Sequence, residues 1–309
     1  MPELRQNLAT KEWVIIASDR ALRPQDVKRR EPRKAAPEKD PACPFCSDGG
    51  GARFEPNKVP ALVPNAPKVR DAGKLYRRLP GEGVHEVVIE SPSHAKSFAD
   101  LTHEQARAAI SVYQERFKAA TEDLKIALPL LFKNHGPTGH PQSQLIGSSV
   151  VPAHIRHRMD EAQKYYEQNG ECVVCRMIAE EAEQNERLVA DTPYFSAFVL
   201  FAALSPFHIW IAPKRHEAAF HELTEAEADN LATVLQDVLA RIKAGLGDPD
   251  YSFVLQSIPQ DRGTTEAFHW YLSLVVAVGG AAGFELGSGM HLNPAVPEEA
   301  AKFLNSVKL

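Results

Sequence analysis

The alternation and spacing of apolar positions divide the chain into a small set of elements. EWVIIA (12–17), HEVVIESP (85–92), PLLFKN (129–134) and QLIGSSVV (144–151) carry the short apolar runs and β-branched residues expected of strands. SAFVLFAAL (196–204) and FHIWIAP (207–213) read as a hairpin, and YSFVLQSI and HWYLSLVVAV as two closing strands. Helical spacing of three and four dominates LTHEQARAAISVYQERFKAATED (101–123), which opens on a Thr cap with an acid two residues on. The same spacing runs through 155–170 and 223–247, both stopped by glycine, and through 297–307, which has proline at its start. The run from Arg20 to Ala42 is basic and Pro-rich, so it predicts a loop or arm.

A repeat underlies this order. The pairs Cys43/Cys46 and Cys172/Cys175 are offset by 129 residues, and so are His140 (HPQSQ) and His269 (HWYLS). Between them, HAKSFADLTHEQA from His94 resembles HEAAFHELTEAEA from His216, at an offset of 122. Each half therefore reads as strands, a hairpin, one long helix and two further strands. The predicted fold is α+β with antiparallel sheets and long helices, in two duplicated halves, 1–154 with an N-terminal arm and 155–309.

The four cysteines all fall in CxxC pairs. With two histidines per half, they match the thiolate and imidazole donors of closed zinc sites. The candidate ligands are Cys43, Cys46, His94 and His140 for one ion, and Cys172, Cys175, His216 and His269 for the other. His208 and His221 compete for a place in the second set. His208 alternates with apolar residues in SPFHIWIAP and so is expected on a strand face. GxGxxG and GxxxxGK[ST] are both missing, which removes two common phosphate-binding solutions.

Composition narrows the class. The chain has 309 residues, 44% hydrophobic and 24% charged, an ordinary globular profile. A net charge of −5 argues against general nucleic-acid binding but leaves room for a local basic pocket. No apolar run reaches the roughly 18–20 residues of a membrane span. The charged opening MPELRQNLATKEW lacks the apolar stretch of a secretory signal, so a cytoplasmic location is expected.

The motifs CPFC, VPNAPKV, HEVVIESPSH, FKNHG, HPQSQLI, CVVC, WIAPKRH, FHWYLSLV and GFELGSGMHLNPAVPEEAAKFL, with the opening MPELRQNLATKEWVIIASDRALRPQD, span nearly the whole chain. In these the sequence resembles the galactose-1-phosphate uridylyltransferase family of the histidine-triad superfamily. CVVC, PKRH and HWY look most like its bacterial members and the plant ADP-glucose phosphorylase branch. The resemblance implies two zinc ions on the eight ligands above and a homodimer. It also implies transfer of a nucleoside monophosphate between a nucleoside diphosphate sugar and a hexose 1-phosphate, carried on a histidine. By the same resemblance Gln144, Ser143, Asn134, Asn65, Arg20 and Arg23 would contact nucleotide or phosphate. Phe284 and Glu285 would contact the hexose from a turn.

One position departs from the family pattern, His-Pro-His-Ser/Gly-Gln. Here it reads His140-Pro141-Gln142-Ser143-Gln144, so Gln142 stands in the nucleophile slot, and the preceding loop is about five residues shorter than the family form. An amide lacks the basic nitrogen lone pair of imidazole. Several readings stay open. The chain binds nucleotide without chemistry, or catalyses direct displacement by sugar phosphate, phosphate or water. Position 142 is an introduced His→Gln change. Another histidine, such as His135, replaces the missing one, or His140 does so at the expense of the first zinc.

Overall fold

The protein is represented by a computed structural model that describes residues 1–17, 36–46, 50–69, 75–136, 139–259, 265–277 and 283–309. The strands are β1 (Glu3–Gln6), β2 (Trp13–Ile16), β3 (Arg53–Pro56), β4 (Gly83–Ile89), β5 (Leu128–His135), β6 (Gln142–Ser148), β7 (Leu188–Asp191), β8 (Phe195–Val199), β9 (His208–Pro213), β10 (Tyr251–Gln256), β11 (Tyr271–Val276) and β12 (His291–Asn293). The helices are α1 (His103–Glu122), α2 (Ala153–Asn169), α3 (Val173–Gln184), α4 (Glu225–Leu246), α5 (Gly283–Ser288) and α6 (Pro297–Ser306).

Both long helices start for the same local reason. Thr102 accepts from the Gln105 amide while the Gln105 side chain returns to the Thr102 amide, and Thr224 and Glu227 do the same for α4. The stripe Ala106, Ala109, Ile110, Tyr113, Phe117 and Ala120 then buries one face of α1. Gly170 and Gly247 end α2 and α4 at φ of 71° and 76°, where a side chain would be strained.

Nine strands form one antiparallel sheet in the order β3-β4-β6-β5-β10-β11-β9-β8-β7. Its central seam pairs β5 with β10, Lys133 opposite Phe253 and His135 opposite Tyr251. Outward from that seam, β6 and β4 on one side correspond to β11 and β9 on the other, so the duplication seen in the sequence becomes a two-fold pattern in the sheet. The fold is α+β with antiparallel sheets, as the residue pattern predicts. Helices α1 and α4 pack on each other and share a main core with the sheet. Along β6, Ser143 and Leu145 face the helices, while Gln142 and Gln144 alternate to the other face. A smaller sheet, β1-β2-β12, lies apart. No helix among the described residues is long and apolar enough to cross a membrane.

Some boundaries differ from expectation. The strand expected at 144–151 begins at Gln142 and ends at Ser148, because pairing with β4 extends back to Ile89 opposite Gln142. The first hairpin strand stops at Val199, five residues short of the apolar run. GFELG is the first part of a short helix, α5, rather than a turn.

Candidate functional site

The two groups Cys43, Cys46, His94, His140 and Cys172, Cys175, His216, His269 each bring four ligand atoms within 4.8 Å of one another. Sequence separation is bridged by topology. In the first, a turn carries the cysteines, His94 follows β4 and His140 precedes β6. In the second, Cys172 caps α3, Cys175 sits in its first turn, His216 follows β9 and His269 precedes β11. Sulfur to Nδ1 distances run from 3.3 Å (Cys46–His94, Cys175–His216, Cys175–His269) to 3.7 Å (Cys43–His140). A tetrahedral ion with Zn–S of about 2.3 Å and Zn–N of about 2.0–2.1 Å requires an S···N edge of about 3.6 Å. The donor set fits zinc in both charge and spacing.

The outer nitrogens hold the rings in place. His140 Nε2 donates to the Ser91 carbonyl (2.9 Å), His269 Nε2 to Pro213 (3.0 Å) and His216 Nε2 to Thr265 (2.9 Å). Each bond leaves Nδ1 as the lone-pair donor. Burial holds His140 below the usual imidazole range, which favours the neutral, ligating form. Without an ion, Cys172 and Cys175 share a proton: the bond from Cys175 pulls Cys172 down, and the same bond pushes Cys175 up. His208 and His221 stay outside the clusters. His208 is buried, pairs through Nε2 with the Ser273 hydroxyl (2.9 Å), and is pushed by burial down to about 3.

A cavity of about 850 Å³ opens beside the first cluster, with His94, His140, Gln142, Asn134, His135 and Lys133 among its walls. The Gln142 Oε1 is buried and has no hydrogen-bond partner among the described residues. Its backbone carbonyl accepts from Lys133 Nζ (3.0 Å). Lys133 is itself buried and ion-paired with Glu90 at 2.6 Å, and Glu90 also accepts from Tyr113 and Ser143 at 2.5 Å each. Removing one partner of such a pair leaves an uncompensated charge, which typically costs about 3–5 kcal/mol.

The other proposed contacts divide. Gln144 Oε1 accepts from His85 Nε2 (2.9 Å); His85 Nδ1 takes the Ala61 amide (3.0 Å), and Asn57 stands 3.1 Å from the same Nε2. Asn134 shares the face of Gln142 and accepts from Ser252 (2.8 Å). The Ser143 hydroxyl, expected near phosphate, is instead spent on Glu90 in the core. Asn65 is not brought to the cavity. Its Oδ1 accepts from Lys125 (3.0 Å), which precedes β5. That end of the strand lies roughly 20 Å from Asn134 at about 3.4 Å per residue. Phe284 and Glu285 lie on α5, against β12, and neither lines this cavity. Arg20 and Arg23 lie outside the described residues. Asn57, His85, Lys133 and Glu90 are the site residues that sequence reasoning did not single out. The charged Lys133 in the apolar run PLLFKN was the available signal.

An α+β chain with a doubled half and paired Cys2His2 groups defines a narrow class. The galactose-1-phosphate uridyl transferase N-terminal domain profile matches residues 1–152, and the C-terminal domain profile matches 158–305. The chain belongs to the galactose-1-phosphate uridylyltransferase family. Among its relatives, ADP-glucose phosphorylase of Arabidopsis thaliana is 32% identical over 336 aligned positions, covering 100% of this chain and 93% of that one. Galactose-1-phosphate uridylyltransferase of Thermotoga maritima is 27% identical, covering 100% and 99%. The crystal structure of the Arabidopsis ADP-glucose phosphorylase with bound ADP-glucose superposes with a TM-score of 0.83 at 29% identity, over 100% of this chain and 99% of that one.

Proposed function

We propose that this protein is a zinc-containing nucleotidyltransferase that moves a nucleoside monophosphate from a nucleotide sugar to a phosphate-bearing acceptor, a hexose 1-phosphate or inorganic phosphate. The observation that carries this reading is the cavity beside the first Cys2His2 group, where Gln142, Asn134 and Lys133 come together. Carboxamides suit phosphoryl oxygens by donating hydrogen bonds, and Lys133, paired with Glu90, holds the Gln142 backbone in place. Zinc would sit in closed four-ligand sites, and its contribution is structural. The likeness to ADP-glucose phosphorylase makes ADP-glucose with inorganic phosphate the first pair to assay, with UDP-glucose and galactose 1-phosphate beside it.

Phe284 and Glu285 enter this reading through a homodimer, in which α5 of a second copy reaches the cavity. Calorimetry should show a nucleotide sugar binding, chromatography of the mixture should show transfer, and the same preparation should sediment as a dimer. Gln142 favours a second reading, a nucleotide-sugar binding protein without chemistry. Binding with no transfer to any acceptor selects that one, and no binding at millimolar ligand overturns both.

A further inference from the structure

The duplicated halves carry one side-chain device twice. In the first half the Ala61 amide donates to His85 Nδ1 (3.0 Å), and His85 Nε2 stands 2.9 Å from Gln144 Oε1. In the second the Leu204 amide donates to His208 Nδ1 (3.3 Å), and His208 Nε2 stands 2.9 Å from the Ser273 hydroxyl. Register makes the two pairs equivalent. His85 lies opposite Ile146 and Val87 opposite Gln144, as His208 lies opposite Val275 and Trp210 opposite Ser273. A backbone amide at Nδ1 leaves the single proton of a neutral ring on Nε2. Each imidazole is therefore a donor aimed along the sheet face. His208 is buried and ends on a hydroxyl, which can accept or donate. His85 is half-buried and ends on a carboxamide, whose two ends differ.

We propose that His85 is a positioning residue: it holds the Gln144 carboxamide with its oxygen inward and its N–H groups toward a phosphoryl oxygen of bound nucleotide. This rests on the nucleotide-sugar reading above. The Nε2–H of His85 finds an acceptor only in Oε1, so the amide nitrogen of Gln144 must point away from the ring. No partner is present for that nitrogen among the described residues, and it is not a buried unpartnered atom. Gln142 and Asn134 stand on the same face of the sheet. With His85 gone, the reversed carboxamide would turn carbonyl lone pairs toward the anion. The ring is itself set by the loop after β3. The Asn57 amide donates to the His85 carbonyl (2.9 Å), Asn57 Oδ1 takes the Val59 amide (2.9 Å), and the Ala61 amide closes on Nδ1. Asn57 Nδ2, 3.1 Å from Nε2, is a donor facing a donor, so its own N–H groups remain beside those of Gln144.

The test uses the full-length, metal-loaded protein and calorimetry with ADP-glucose and UDP-glucose, beside adenosine and uridine, which lack phosphate. His85→Leu, checked for unchanged circular dichroism and metal content, should weaken the nucleotide sugar about tenfold, the scale of one hydrogen bond to a charged group. The nucleoside should stay within about twofold of wild type. Gln144→Ala should behave alike, and the double variant should bind no more weakly than Gln144→Ala alone, because His85 acts through that side chain. His85→Gln, which keeps both an acceptor and an N–H, should recover most of the loss. Nitrogen-15 correlation spectra of the ligand-free protein, with the His85 signals assigned by their absence in His85→Gln, should place the ring proton on Nε2. A proton on Nδ1 overturns the proposal. So do losses that add in the double variant, equal weakening of nucleoside and nucleotide sugar, or a His85→Gln chain as weak as His85→Leu. If wild type binds no nucleotide sugar, the broader reading falls, and the proposal falls with it.

Discussion

Gly139 acts through the side chain it lacks. A Cβ built there would sit 2.6 Å from His94 Nε2, closer than real contacts allow, and the imidazole cannot yield without leaving its sulfur neighbours. Gly139→Ala should therefore cost the first cluster its ion. Metal analysis should fall from about two equivalents to about one, with the second cluster unaffected; two full equivalents in the variant would refute this. At this scale the sequence was informative where chemistry leaves a distinctive spacing. The eight Cys and His residues that the fold gathers were readable there, the Cys pairs with His140 and His269 from the offset of 129, and His94 with His216 from the matching stretch at 122. It was uninformative where position depends on which face a strand turns inward. Ser143 and Gln144 are neighbours, yet one is spent in the core and the other meets His85. Asn57 and Asn65 are eight residues apart in one loop region, and only the fold shows that Asn57 reaches the Gln144 side.

Among the elements, α3 depends most on its metal group. Its cap residue, Cys172, makes no side-chain capping bond, so the first-turn amides lack the usual oxygen acceptor. What holds that end is the tie from Cys172 and Cys175 to His216 and His269. Removal of metal by a chelator should raise amide exchange in 173–184 well before it does so in α4, whose start is held by Thr224 and Glu227. Equal protection in both helices after metal loss would contradict this. The elements with strong periodicity and a recognisable start, the capping boxes of α1 and α4 and the leading proline of α6, were legible from the residues alone. The short strands β1, β3, β7 and β12 have three or four residues each and owe their form to pairing, which local sequence does not encode. Helix α3 was hidden because its first turn is also a metal motif.

At the scale of the whole molecule, His208 sets part of the acid limit of stability. Burial holds it at about 3, while in the unfolded chain it titrates near the ordinary 6.5. Its folded-state value is depressed, so its contribution is fully present above 6.5. Below that the unfolded chain takes up a proton that the native fold refuses. Stability then falls by about 1.4 kcal/mol per pH unit until the folded value is reached. Urea midpoints measured between pH 6.5 and 4 should fall less steeply for His208→Gln than for wild type. Parallel slopes would show that His208 accepts a proton without unfolding. The duplication was legible at this scale, but the single continuous sheet was not, because the β5–β10 seam joins residues from different halves chiefly through backbone pairing, with the Ser252–Asn134 bond beside it.

That seam has a consequence for how the chain is made. Strand β5 is complete when His135 leaves the ribosome, yet Tyr251, its neighbour across the seam, follows roughly 115 residues later. At about 5–20 residues per second the nascent first half stands for roughly 6–23 s with an open strand edge. Such an edge is a template for pairing with any other chain, including a second nascent copy of the same half.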